Sequence, residues 1–331
     1  MKILLVRTDR IGDLILSTPA IASFRRSFPQ ARIEALCSTY NATVLDGNTD
    51  VDHVLTLPEE PRERAAFAKS LAGKYDMAVA LAPVARDYRL VAATRAATRV
   101  GYVYRRRWLA RLAASRYFTR FAVSEADPDD ADRHPERPVR HEVLQVLELV
   151  LLAGGVALEP KLVLPLRPED RDLAARLVPQ GQPIAMHFAP RWVTDGSTRE
   201  TFADLAADVQ RRLGKEVVVT YGKEVRSEVE LLRTLLPPGA RLVGDLSLQQ
   251  WAAVFERCAA VVTVDTGATH VAAAMGRPTV VVFEHRYFRL NSQEWSPWGV
   301  PSALVRKPAR ANAESLARLR EEILEGLERV L

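Results

Sequence analysis

Residues 261–283 leave this chain few folds to choose from. β-Branched residues run to Val264, the polar turn Asp265-Thr266-Gly267 follows, and a small-residue helix leads to Gly276-Arg277-Pro278, which stops it before a second apolar run, Thr279 to Phe283. That reads as a buried strand, a sharp turn, a short helix and another strand. Asp265, Thr266, Gly267 and His270 fall at the seam where the strand ends and the helix begins. There the first free backbone N–H groups and the positive end of the helix dipole face outward, which favours an anion. Taken singly, Thr266 or Asp265 could cap the helix and His270 could be a satisfied histidine on its first turn. As a cluster, with Gly267 admitting a ligand to the backbone and Ala272, Ala273 and Ala274 pressing the helix onto the sheet, they suit a phosphate or pyrophosphate.

The same alternation starts at the beginning of the chain. Lys2 to Val6 is a short aliphatic strand and Leu14 to Phe28 a helix stopped by Pro29, so Arg7-Thr8-Asp9-Arg10-Ile11-Gly12-Asp13 is the first strand-to-helix loop. In an open α/β sheet that loop borders the ligand crevice. Asp13 is a helix cap or a functional carboxylate, and Gly12 beside it permits close approach. Further strand-like runs at Arg32 to Leu36, His53 to Leu57 and Asp76 to Leu81, with Arg62 to Ala72 helical, imply a mainly parallel sheet. No GxGxxG follows the first strand, which argues against a dinucleotide-dependent dehydrogenase.

At 331 residues the chain exceeds one ordinary hydrophobic core, so two domains are expected. No apolar run approaches the roughly 20 residues of a membrane helix, and the charges directly after Val6 leave no signal-peptide core, which points to the cytoplasm. Cys37 and Cys258 lie in apolar surroundings and read as two reduced thiols. The six histidines do not fall at metal-ligand spacings and no metal is expected. A net charge of +5 favours anionic partners.

Between Tyr102 and Phe121 the chain is basic and aromatic, including Tyr104, Arg105, Arg106, Arg107, Trp108, Arg111, Arg116, Tyr117 and Arg120. This is a solvated helix face or a surface for an anionic partner, a lipid headgroup region at least as well as nucleic acid. Glu125 to Arg140 reads as a mobile loop, Val143 to Leu152 as a helix, and proline-punctuated Glu159 to Pro168 as the domain boundary. A second alternation follows: strands at Pro183 to Phe188, Glu216 to Tyr221 and Gly239 to Val243, and helices at Thr201 to Leu213, Glu224 to Leu236 and Leu248 to Cys258. Ser197-Thr198-Arg199-Glu200 offers a capping box. Asn312 to Leu331 closes the chain as an amphipathic helix.

Two motifs in fixed order, Arg7-Thr8-Asp9-Arg10-Ile11-Gly12-Asp13-Leu14-Ile15-Leu16-Ser17-Thr18-Pro19-Ala20 and Asp265-Thr266-Gly267-Ala268-Thr269-His270-Val271-Ala272-Ala273-Ala274, with Leu246-Ser247-Leu248 between them, resemble the signatures of glycosyltransferase family 9, the lipopolysaccharide heptosyltransferases. The resemblance implies a GT-B fold: an acceptor-side Rossmann-like domain over 1–160 facing, across a cleft, a donor-binding one over 161–311, with helix 312–331 free to pack back on the first. It implies inverting, metal-independent and cofactor-independent transfer of heptose or a related sugar from a nucleotide-sugar, ADP-heptose first, to a lipopolysaccharide core or other lipid-linked or surface glycan. Asp13 would be the base, Arg10 and Gly12 would lie on the acceptor side, and Asp265, Thr266, Gly267 and His270 would hold the donor. The implied partners are donor and acceptor; the basic, aromatic run 102–121 adds an expected peripheral contact at the inner face of the cytoplasmic membrane, and no nucleic acid is expected.

One departure from the family pattern matters. Many members carry a lysine after the first strand of the second domain, where it meets donor phosphate; here Arg191-Trp192-Val193-Thr194-Asp195-Gly196-Ser197-Thr198-Arg199-Glu200 has none. Arg191, which follows the strand on the crevice side and offers a bidentate fork, is the expected substitute, with Lys223 in reserve and Arg199 expected to point to solvent. The alternatives are another GT-B nucleotide-sugar enzyme, such as an epimerase, and a binding-only member without turnover.

Overall fold

In the computed structural model the chain is described throughout except at residues 106, 125–133, 159 and 179 and the side chain of Ala110. It divides into two compact units, Met1–Pro165 and Leu166–Leu331. The first contains, in order, β1 (Lys2–Arg7), α1 (Ile11–Ser27), β2 (Arg32–Ser38), β3 (His53–Leu57), α2 (Pro61–Ser70), β4 (Met77–Ala80), α3 (Ala85–Ala93), β5 (Thr98–Tyr104), α4 (Trp108–Leu112), α5 (Ala114–Tyr117), β6 (Arg120–Ser124) and α6 (Glu142–Leu152). The second contains α7 (Pro168–Leu177), β7 (Ile184–Phe188), α8 (Arg199–Leu213), β8 (Val217–Tyr221), α9 (Val229–Leu235), β9 (Arg241–Val243), α10 (Leu248–Glu256), β10 (Ala260–Val264), α11 (Gly267–Ala274), β11 (Thr279–Phe283), α12 (Phe288–Glu294), β12 (Ser302–Arg306) and α13 (Ala313–Val330).

Each unit is built on a six-stranded sheet whose paired strands all run parallel, ordered β3-β2-β1-β4-β5-β6 and β12-β11-β10-β7-β8-β9. Numbered within its own unit, each sheet has the Rossmann order 3-2-1-4-5-6. The central strands are apolar on both faces because helices cover both: Ile3 to Val6, Ala78 to Ala80, Ile184 to Met186 and Ala260 to Val262 are buried. The order reverses between β1 and β4 in one sheet and between β7 and β10 in the other, so the loops leaving those strands flank a crevice.

Several elements depart from the sequence reading. α1 begins at Ile11 rather than Leu14, so Gly12 and Asp13 sit in its first turn. Pro19 is accommodated within it: proline cannot donate to the Ile15 carbonyl, and the Thr18 hydroxyl does so at 2.7 Å. The run 102–121 is not one surface segment, because Tyr102 and Tyr104 belong to β5 and Arg120 opens β6. Most of the expected loop 125–140 lies outside the described residues. α8 is capped by Thr198, which accepts from the Thr201 amide, and not by a Ser197 box. The closing helix α13 packs on β11, β12 and α8 of its own unit, burying Leu319, Ile323, Leu324 and Leu327. Gly326 is the contact that permits this, since a Cβ there would stand 2.9 Å from that of Ala303. Cys37 and Cys258 are free and buried, and burial pushes both thiols up to about 12.

Candidate active site

In the first unit β1 ends on Arg7, a cation that is only 2% exposed. Its guanidinium reaches Asp9 at 2.9 Å, Glu142 at 2.6 Å, Asp13 at 3.4 Å and the Ser17 hydroxyl at 3.3 Å, and it donates to the Leu81 carbonyl at the end of β4. Burial disfavours this charge, but Asp9, Glu142 and Asp13 outweigh the loss and raise the Arg7 pKa well above its usual value. Glu142 comes from the first turn of α6, where the buried Tyr102 hydroxyl also donates to it at 2.9 Å. Across the switch point Asp87 accepts from the Thr8 amide at 3.1 Å and from its hydroxyl, while Arg86 donates to the Thr8 carbonyl at 2.6 Å. Burial raises the Asp87 carboxyl to about 6 against those hydrogen bonds.

Asp13 sits at the edge of this network with its side chain 17% exposed. It is not the cap of α1: Arg10 holds the N-cap position, and no side-chain capping bond is made there. Desolvation raises the Asp13 carboxyl to about 7; Arg7 and Arg10 pull it down, while Asp9 and Glu142 push it further up. Near neutrality such a carboxylate takes up a proton readily, which is what a general base requires. Arg10 is exposed and Gly12 buried beside it.

In the second unit the seam lies where expected. β10 ends at Val264, Thr266 is the N-cap residue of α11, and Gly267 opens the helix. The Thr266 hydroxyl bonds back to the Val264 carbonyl at 3.2 Å instead of to a helix amide, so the N-cap side chain does not occupy the first-turn N–H groups. His270 is buried in the same turn. Arg191 lies in the turn Pro190–Val193 after β7. Its neighbour Trp192 points into the core, donating to the His187 carbonyl at 2.7 Å and packing on Phe202, so Arg191 faces the other way. It meets Asp265 across the switch point, Nη1 to Oδ2 at 2.7 Å.

The two other cations considered for this site are placed differently. Arg199 pairs with Glu228 at 2.8 Å and does not point freely into solvent. Lys223 is exposed at the start of the turn after β8. His187, buried in β7, is held near 4 by desolvation and is a neutral structural partner of Thr220.

A residue missed in the sequence completes the second cluster. Lys307, just past β12 and 2% exposed, donates to the Arg191 carbonyl at 2.6 Å and to the Thr194 hydroxyl, with Glu284 at 3.8 Å. Desolvation lowers its pKa; Glu284 and Asp195 oppose that. Burial and a hydrogen bond with Asp195 raise the Glu284 carboxyl, while Lys307 opposes the rise. Lys307 thus ties the Arg191 turn to the far strands of the sheet. A lone lysine after an edge strand carries no pattern, and neither does Glu142, 135 residues from Arg7 in sequence.

Comparison with known proteins gives the same two-sheet architecture. A glycosyltransferase family 9 protein from Veillonella parvula superposes with a TM-score of 0.77 at 18% identity, covering 99% of this chain and 96% of its own. The Escherichia coli ADP-heptose LPS heptosyltransferase II gives 0.74 at 18%, covering 100% and 98%. E. coli heptosyltransferase WaaC with ADP-2-deoxy-2-fluoro heptose gives 0.73 at 20%, covering 99% of each chain. These likenesses show the fold, α/β with GT-B architecture. No curated protein matches the sequence. The glycosyltransferase family 9 (heptosyltransferase) model matches residues 64–322, a span that includes the seam at 265–274 and leaves out the first motif. On that match, over more than half its length, the chain belongs to glycosyltransferase family 9, and is therefore a glycosyltransferase.

Proposed function

We propose that this glycosyltransferase moves heptose or a closely related sugar from a nucleoside-diphosphate donor, ADP-heptose first, to a hydroxyl of a lipopolysaccharide core or similar surface glycan, with inversion. The observation that carries the proposal is Asp13: a partly exposed carboxylate, raised to about 7, at the crevice edge of the first sheet. Asp13 takes the proton of the acceptor hydroxyl as its oxygen attacks the anomeric carbon from the face opposite the diphosphate, and the C–O bond to the diphosphate breaks. The leaving charge is met by the first-turn amides of α11 and by Arg191, with Asp265, Thr266, Gly267 and His270 around the donor. Lys307 holds the turn that presents Arg191. That set of cations and amides supplies the positive charge a metal would otherwise bring, so chelator leaves turnover unchanged.

The solved structure of WaaC with an ADP-heptose analogue supports ADP-heptose as the first donor to assay. The test is turnover of that donor with and without a deep-core lipopolysaccharide acceptor, reading product stereochemistry by NMR. Acceptor-dependent transfer with inversion is expected. Rearranged free sugar formed without acceptor would make the chain an epimerase, and tight binding without turnover would make it a binding protein.

A further inference from the structure

We infer that α4 docks the chain on an anionic phospholipid surface. Trp108, Leu109 and Leu112 are 60, 65 and 69% exposed, and among the described residues no other five-residue stretch exposes three large apolar side chains. Positions 108 and 112 are neighbours one helical turn apart, with 109 beside them, so the three form one apolar knob. Such a knob in water calls for an apolar medium.

The charge around it identifies the medium. From residue 88 to residue 124 the chain has nine arginines and no Asp or Glu. Three of those arginines donate to uncharged partners: Arg99 to the Tyr117 carbonyl, Arg107 to that of Pro83, and Arg120 to that of Leu152. Carbonyl partners order a guanidinium without cancelling its charge. Arg111 and Arg116 flank the knob and are exposed. A second copy of this surface would repel the first, and a nucleic acid offers phosphates but no apolar phase for Leu109 and Leu112. An anionic bilayer offers both, with its headgroup region suited to the indole of Trp108.

The position is useful to an enzyme of lipid-linked glycans. α4 follows β5, so it leaves the carboxyl edge of the parallel sheet, the same edge as the loops carrying Asp13 and Arg86. Arg107 fixes the segment there through the Pro83 carbonyl at 2.9 Å, two residues beyond Leu81, whose carbonyl accepts from Arg7. Docking by α4 turns that edge of the first unit toward the membrane. The docking inference stands whether or not the transfer reading is right.

Flotation of the full chain with phosphatidylcholine vesicles, with and without about 30 mol% phosphatidylglycerol, tests it. Binding to the anionic vesicles alone is expected, weakened about tenfold on going from about 0.1 M to about 0.5 M salt. The triple variant Trp108→Ser/Leu109→Ser/Leu112→Ser and the double variant Arg111→Glu/Arg116→Glu should each lose at least about tenfold in partitioning. Because all five side chains are exposed, thermal unfolding and turnover on a water-soluble acceptor should match the wild type, which separates loss of docking from loss of transfer. A wild type that ignores anionic vesicles, or variants that float as it does, would overturn the inference. So would RNA retention or self-association carried by the same side chains in place of vesicle binding.

Discussion

At the switch point of the first sheet the carboxylates Asp9, Asp13 and Glu142 gather on one buried cation, Arg7; in the second unit Arg191 meets Asp265 beside the N-terminus of α11, and buried Lys307 holds the turn that carries Arg191. The strand order is the same in both, and so are the loops used, those leaving the first and fourth strands. A sheet of this kind therefore fixes where a site forms but not what it does. In the first, burial and neighbouring carboxylates raise Asp13 and keep it ready for a proton; in the second, an arginine beside first-turn helix amides suits a diphosphate. If the two sites have these separate tasks, damage to one should appear in chemistry and damage to the other in donor affinity.

The largest effect is expected at Asp13. Asp13→Asn should lower kcat by about 100-fold or more while nucleotide affinity stays near wild type, which steady-state kinetics and calorimetry will separate. The same variant should be more stable than wild type at pH 8. Asp13 has its carboxyl raised in the folded chain from 3.8 to about 7, so its contribution to stability is intact below the unfolded value and is lost as pH climbs through the folded one. The gain in melting temperature should therefore vanish near pH 4. A destabilised variant at pH 8 would make Asp13 a structural residue.

Arg191→Ala comes next. It should raise the donor Kd by about tenfold or more, the cost of losing a charge-assisted contact, with kcat also reduced. Arg199→Ala, whose partner is Glu228, should stay within about twofold. Near-wild-type affinity in both variants would move the cation to Lys223. Smaller again is Lys307→Met: the Arg191 carbonyl and Thr194 hydroxyl lose a donor and Glu284 loses its cation, which should cost about 1–3 kcal/mol of stability. Donor affinity should weaken less than in Arg191→Ala, with kcat nearly unchanged, because Lys307 acts through the turn it holds.

How far these sites could be read from the sequence follows from how local each interaction is. The seam at 265–270 and the loop at 7–13 are contiguous stretches, and strand, turn and helix signals frame both. The start of α1 is hidden because Arg10 is not a capping residue type, so nothing in the sequence marks Ile11 as helical. α3, β5 and β6 are hard to read because arginines and aromatics blur the period of 85–124, where both ends of the apparent surface patch belong to strands and Tyr102 is buried. Arg7, Glu142 and Lys307 were missed as site residues for a different reason. Each is an ordinary charged residue whose role depends on a partner brought close by the fold, and a single sequence carries no trace of that pairing.

The finest test of the contrast asks whether the carboxylates next to Asp13 tune it or merely fill space. If Asp13 is the base, kcat/KM should rise with pH through about 7 and level off above it, since only the ionised form accepts a proton. Glu142→Gln removes a negative charge that pushes the Asp13 carboxyl up, while the amide keeps an oxygen to accept from the Tyr102 hydroxyl. It also releases Arg7 from its 2.6 Å partner, leaving the guanidinium freer to close the 3.4 Å gap to Asp13 and hold it ionised. Both changes act in one direction, so the acid limb of the profile should move to lower pH while the plateau rate changes little. A profile that stays in place, or moves to higher pH, would show that Glu142 anchors Arg7 without tuning the base, and the electrostatic account of the first site would fail at its central step.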